Sequence, residues 1–276
     1  MRMLLFAGLI CLLETWGFAL PIPHRSLRQL IGDAELIAVA KVKKKESVEG
    51  KGRDSGSKAT LAVDSLLKGT IIHPDVEVMF FPNVICPSPP RYDIGRTTVV
   101  FLRSFRGKYF TCSRSYGSKI VSDTQAKGFA LLVRKHIAVQ KIKDVKLREK
   151  AMSRWLMDCI RFHPARFDGL IDLDNPITGH QSQPNENGPQ YWRFLSRKDL
   201  VELTDLLKKM RPTEYGYIHG EKHILSIVAK RTGDRELMEL YDQFASLGWQ
   251  DSGRVSEEKK LIGQFLERIE GIRKGD

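Results

Sequence analysis

Residues 33–45 read D-A-E-L-I-A-V-A-K-V-K-K-K, and residues 58–69 read K-A-T-L-A-V-D-S-L-L-K-G. Leu36 to Val42 is almost wholly apolar and partly β-branched, the pattern of a strand covered on both faces. Thr60 to Leu66 alternates and closes on Lys68-Gly69, a turn signal. Between them, Glu46 to Ser57 carries no large apolar residue except Val48, so an exposed hairpin loop is expected there. The pair of strands is the seed of a small β-barrel.

Further strand candidates are Val76–Phe81, Thr97–Arg103, and the shorter Lys108–Thr111 and Lys119–Val121. Pro82 to Gly95 is a turn-rich connection. No helix alternates with these strands, which argues against a parallel βαβ sheet. A closed antiparallel barrel of about five strands is expected. From residue 123 the apolar period changes from two to about 3.6. Helices are expected over Phe129–Ile142, Val145–Phe162, a segment opened by Ser196 as cap, Glu214–Lys230, Arg235–Leu247 and Glu257–Ile272. Asp174 to Gln190 reads as a loop, and Ser26 to Ile31 as a short helix. The fold class is therefore α+β, a five-stranded barrel followed by a helical region.

The chain opens with Arg2, an apolar run from Leu4 to Leu13, and the small residues Gly17 and Ala19. That is the layout of a secretory signal peptide over residues 1–19. Glu14 interrupts the run, and spanning a bilayer takes about twenty apolar residues. No other stretch meets that requirement, so a soluble protein outside the cytoplasm, secreted or periplasmic, is expected. The barrel then occupies residues 20–122 and the helical domain 123–276.

The formal net charge is +12, and it is uneven. Seventeen basic residues face nine acidic ones over 20–120, and eleven face five over 121–170, whereas sixteen face eighteen after that. Such a surplus attracts acidic proteins or polyanions. Lys43, Lys44 and Lys45 mark the end of the first strand. Arg103, Arg106, Lys108 and Arg114 interleave with Phe101, Phe105, Tyr109, Phe110 and Tyr116. Basic residues among aromatics are the ingredients of polyanion or single-strand binding. Export argues against nucleic acid as the native partner. The bland alternative is a solvated strand edge with its aromatics in the core.

The barrel half resembles the netrin-like module, whose best-known members are the tissue inhibitors of metalloproteinases. The matching residues are Asp33 through Val42, Val63-Asp64-Ser65-Leu66-Leu67-Lys68-Gly69, and Gly95 through Leu102. The resemblance covers roughly residues 27 to 121 and implies an oligonucleotide/oligosaccharide-binding (OB) type of barrel. The stretch from Trp155 to Leu170 is similar to the segment on the C-terminal side of such barrels in some uncharacterised secreted bacterial proteins. The inhibitors chelate the protease zinc through an N-terminal Cys. Here the expected N-terminus is Leu20-Pro21-Ile22-Pro23-His24, and there is no Cys until Cys86, so inhibition does not carry over.

Cys86 and Cys112 are expected to pair in an oxidising compartment, a closure that stabilises by roughly 3 kcal/mol. Cys159 lies on the apolar stripe of its helix and reads as a small hydrophobe. A nucleophilic Cys159–His163 pair lacks a third member or an oxyanion hole. His219 and His223 stand at i, i+4, a spacing that can hold zinc, yet Glu221 sits midway rather than beside the first His. Asp168, Asp172 and Asp174 read as separated carboxylates in a loop-like region, without the alternating spacing and closing Glu of a calcium loop. There is no Gly-rich phosphate loop and no G-x-S-x-G elbow, and no cofactor is implied. Two classes remain. The favoured one is a non-catalytic binding protein whose barrel recognises an acidic protein or polyanion. The alternative is an extracytoplasmic hydrolase or metal enzyme using His219 and His223, or Cys159.

Overall fold

The computed structural model describes residues 24–48, 56–83, 88–174, 189–210, 220–247 and 254–275. The expected signal peptide, Cys86 and His219 lie outside these residues. The first element is α1 (Leu27–Asp33), closed at its start by a reciprocal capping box between Ser26 and Gln29. Six strands come next: β1 (Leu36–Val48), β2 (Gly56–Lys68), β3 (Asp75–Phe80), β4 (Thr97–Phe105), β5 (Lys108–Thr111) and β6 (Ser118–Ile120). The helices α2 (Asp123–Gln140), α3 (Val145–Arg161), α4 (Arg166–Asp174), α5 (Arg197–Lys209), α6 (Glu221–Thr232), α7 (Arg235–Ser246) and α8 (Arg254–Gly275) complete the chain.

The sheet is mixed, in the order β1-β2-β3-β5-β4-β6, and a β1–β4 pairing closes a ring through five strands. The ring takes in five strands, and β6 adds a sixth to the sheet. The expectation of a purely antiparallel arrangement is corrected: β3 pairs β5 in parallel, Val78 opposite Tyr109 and Met79 opposite Phe110. A chain that returns across β4 to reach β3 arrives in the same direction, so a purely antiparallel closure is excluded. The expected loop 46–57 is also shorter, because β1 runs to Val48 and β2 begins at Gly56. Backbone pairing carries a polar sequence such as Lys44-Lys45-Glu46-Ser47 as strand where apolar alternation gave no signal.

β1 is the hinge of the architecture. Leu36, Ala38, Ala40 and Val42 point into the ring, where they meet Ala59, Leu61, Val76, Val78, Phe80, Val100 and Leu102. Ile37 and Val39 point outward and join Val99 and Phe101 of β4 in a second apolar cluster built mainly from helices. The unbroken apolar run is thus a strand with protein on both faces. Three register shifts between β1 and β2 bend the long strand so that it serves both neighbours.

The Lys68-Gly69 turn fastens this arrangement. Lys68 Nζ donates to the carbonyls of Ile31 at 2.7 Å and Gly32 at 3.4 Å, at the open end of α1. Gly69 has φ +86° and lies against the Glu35 carbonyl, so a β-carbon there has no room.

Candidate functional site

The helices cover one side of the ring, over Ile37, Val39, Val99 and Phe101. The opposite outer face, on β3, β5 and the end of β4, carries the side chains that alternate with the ring core. In β3, Val76, Val78 and Phe80 are buried in the ring, which turns Glu77, Met79 and Phe81 outward. Phe110 pairs with Arg103 across the β4–β5 register, and Phe105 with Lys108.

These residues form an exposed aromatic cluster. Phe81 stacks on Phe110 with centroids 6.4 Å apart and planes 20° from parallel, and Phe105 meets Phe110 edge-on at 6.2 Å. Phe105 is 58% exposed and Phe81 45%. The groove they line, of about 350 Å³, also takes in Met79, Arg103 and Arg114, with no acidic side chain lining it among the described residues. The Arg106 guanidinium stands 5.2 Å over the Phe105 ring. Arg106 and Gly107 turn β4 into β5 with φ +51° and +73°, a two-residue hairpin turn. Ser113 and Arg114 also hold left-handed backbone at φ +49° and +57°. Among the described residues, these three are the only non-glycine positions with positive φ, and all lie at or beside the groove. At Arg106 the hairpin turn itself requires this conformation, and left-handed backbone at a non-glycine residue costs about 1–3 kcal/mol.

A wider groove of about 670 Å³ adjoins the first through Met79, with Lys58, Glu77, Lys108 and His73 on its wall. It is mixed in charge. Lys108 therefore belongs to the neighbouring groove, while Arg103 stands in the aromatic one and Arg106 at its edge.

The three consecutive lysines form a different surface. β4 covers the β1 edge only from Leu36 to Lys41, so Lys43, Lys44 and Lys45 come where that pairing stops. Lys43 pairs with Asp75 at 2.8 Å and Lys44 with Glu46 at 2.7 Å, and Lys45 lies 5.7 Å over the Phe80 ring. Lys58 links Glu46 and Glu77 into the same network. This is a mosaic of opposite charges on a strand edge. Of the five aromatics read from the sequence, Phe105 and Phe110 are in the groove. Phe101 is core, Tyr109 packs against the ring interior, and Tyr116 packs on the helical cluster. Met79 and Phe81 were missed, although strict alternation along Val76–Phe81 places them on the same face as Glu77.

The helical half holds buried polar groups of another kind. Asp168, Asp172 and Asp174, expected in a loop, lie in α4 and are all buried. Each has a basic partner. His24 Nε2 is 2.7 Å from Asp168, Arg28 donates to Asp172 at 2.9 Å, and Lys230 donates to Asp174 at 2.8 Å. His223 Nδ1 lies 2.8 Å from the other oxygen of Asp174, and Ser226 Oγ donates to Asp174 at 2.6 Å. Ser226 is thus bound to the carboxylate rather than to the imidazole, and it is fully buried. This is the wrong order for a nucleophile activated by histidine. His219, the other half of the expected metal pair, lies outside the described residues. Among those residues no three His, Cys, Asp or Glu side chains gather to hold a metal.

Cys159 is fully buried between α3 and α4, and burial pushes its thiol well above the usual value. Cys112 is also buried with a free thiol, pushed up by burial to about 12. Its expected partner Cys86 lies outside the described residues.

No protein-family model matches the chain, and no curated protein shows significant similarity to it.

Proposed function

We propose that this is a secreted or periplasmic, non-catalytic binding protein whose ring of strands is an OB-type, netrin-like barrel recognising an acidic protein or polyanion. The observation that carries the reading is the exposed Phe81–Phe110–Phe105 cluster with Arg103 and Arg106 beside it and, among the described residues, no carboxylate in its lining. Aromatic faces give contact area at low entropic cost, and guanidinium groups supply donors and charge for anionic groups. The barrel type is supported by five strands in a closed ring of Greek-key order. In barrels of that type the ligand face includes strand 3 and the loop between strands 4 and 5, where this groove lies. Export is supported by the sequence of residues 1–19, with its basic start, apolar run and small residues Gly17 and Ala19.

Heparin titrated against the full exported chain tests the reading. Arg103→Gln with Arg106→Gln should weaken binding at least tenfold, and binding should fall steeply between low and moderate salt. Lys43→Gln with Lys44→Gln and Lys45→Gln should cost less, since two of these charges are already neutralised by neighbours. Equal, salt-independent binding by all three proteins would remove the basic aromatic face as the recognition surface. Terminal sequencing of exported protein should find Leu20 first.

A further inference from the structure

The start of β3 is an open sheet edge. β5 pairs β3 only at Val78 and Met79, because the β4–β5 hairpin turns back at Arg106–Gly107. On the other side of β3, the Val63 N–H donates to the Pro74 carbonyl at 2.8 Å, and the β2–β3 register runs on without a shift. Amide groups alternate in direction along a strand. The even-numbered residues of β3 therefore turn theirs to β2, and Asp75 and Glu77 turn theirs away. The Asp75 carbonyl and the Glu77 N–H lie just before the β5 pairing, where no strand among the described residues answers them. Asp75 and Glu77 both line the groove of about 670 Å³, with Gly107 on its wall. A β-carbon at Gly107 meets no atom within 4 Å, so the space there is open.

On the reading that the ring face is the recognition surface, we propose that an extended segment of a partner protein adds to this edge as a strand. It sets an apolar side chain, next to a carboxylate, in the Phe81–Phe105–Phe110 groove. The two grooves share Met79, so one segment reaches both. Strand addition draws affinity from main-chain hydrogen bonds and specificity from pockets for alternate side chains. The edge supplies the first, and the aromatic groove with Arg103 supplies the second.

The charges favour a protein segment over a uniform polyanion. Asp75 is paired with Lys43 and Glu77 with Lys58, so the wider groove offers an anionic polymer two carboxylates and little free positive charge. Positive charge without a carboxylate is confined to the aromatic end. Ile72, on the wall of the wider groove, is 94% exposed, and Phe81 and Phe105 are exposed at the far end. Apolar residues left in water along a groove with open backbone groups fit a polypeptide, which has both apolar side chains and amides to offer.

A display library of random short peptides, selected on the full exported chain, tests the proposal. The enriched sequences should carry an aromatic or aliphatic residue beside an acidic one, and their binding should protect the Glu77 amide from hydrogen exchange. Glu77→Pro removes only an N–H that the sheet does not use, a substitution that open edges tolerate. It should weaken the enriched peptides at least about tenfold, the effect of one lost hydrogen bond of about 1.4 kcal/mol, and leave heparin binding unchanged. Glu77→Gln keeps the N–H and should bind them within a few-fold of wild type. Should Glu77→Pro lose its thermal transition, the same peptides with methylated backbone nitrogens replace it, and these should not bind. Enriched peptides that leave Glu77 unprotected, or that bind equally when methylated, overturn the proposal. So does enrichment of acidic runs without an apolar residue, the result expected of a polyanion groove. No enrichment, with heparin binding that still depends on Arg103 and Arg106, overturns strand addition alone. No enrichment, with heparin binding independent of both arginines, overturns the ring-face reading as well.

Discussion

Asp174 shows how a residue read as part of a loop becomes an anchor. Burial pushes its carboxyl up, but His223, Lys230 and Ser226 together outweigh burial and hold it below the ordinary carboxylate value. A depressed folded pKa stabilises above the unfolded value of about 4 and loses that stability as pH falls through the folded one. Asp174→Asn should therefore cost about 1.5–3 kcal/mol at neutral pH, and the gap to wild type should close on acidification. Urea unfolding at a series of pH values measures it, and a pH-independent gap would exclude the ionic role. Two glycines give opposite expectations. Gly69→Ala should destabilise by about 1–3 kcal/mol, because φ is left-handed and the Glu35 carbonyl fills the space. Gly32→Ala, in a helix with open space around the added carbon, should stabilise by up to about 1 kcal/mol. Thermal unfolding of the two variants should shift in opposite directions.

At the scale of elements, much of the helical half was readable because local chemistry sets helix starts. Ser196 with Asp199, Ser122 with Gln125 and Ser26 with Gln29 each form a complete capping box. Only the first was recognised from sequence, yet all three match the same spacing. α2 consequently begins at Asp123, six residues before the expected Phe129. α4 was missed because three aspartates in nine residues imitate a polar turn, and their partners come from residue 24, residue 28 and α6, far away in sequence. The packing of α4 on α3 depends on Gly169, where a β-carbon would lie 2.9 Å from Cys159 Cβ and from the Leu156 carbonyl oxygen. Gly169→Ala should force the two helices apart and cost about 1–3 kcal/mol, read as a lower urea midpoint. An unchanged midpoint would mean that the helices shift without loss.

At the scale of the whole molecule, the ring and the helices share one continuous apolar cluster, from Ile37, Val39, Val99 and Phe101 through α3 and α6 to Phe265 and Ile269. A chain ending at residue 122 would expose those four strand residues to water, an unfavourable apolar face. Such a fragment should aggregate or lose its cooperative transition, whereas the full chain should melt once. A soluble fragment with native-like melting would show that the ring stands alone. What the sequence by itself determined was the part of the fold governed by short-range periodicity: two-faced β1, the alternation of β2 and β3, and helices from residue 123 onward. Those signals are local, since each residue's preference for core or solvent repeats with its own element. Ring closure through β1–β4, the parallel β3–β5 pair and the separation of Phe101 from Phe105 and Phe110 were decided only by the tertiary structure. So was the neutralisation of Lys43 and Lys44. The physical reason is that pairing energy and charge compensation act between side chains brought together in space, and no spacing along the chain records which partner each one finds.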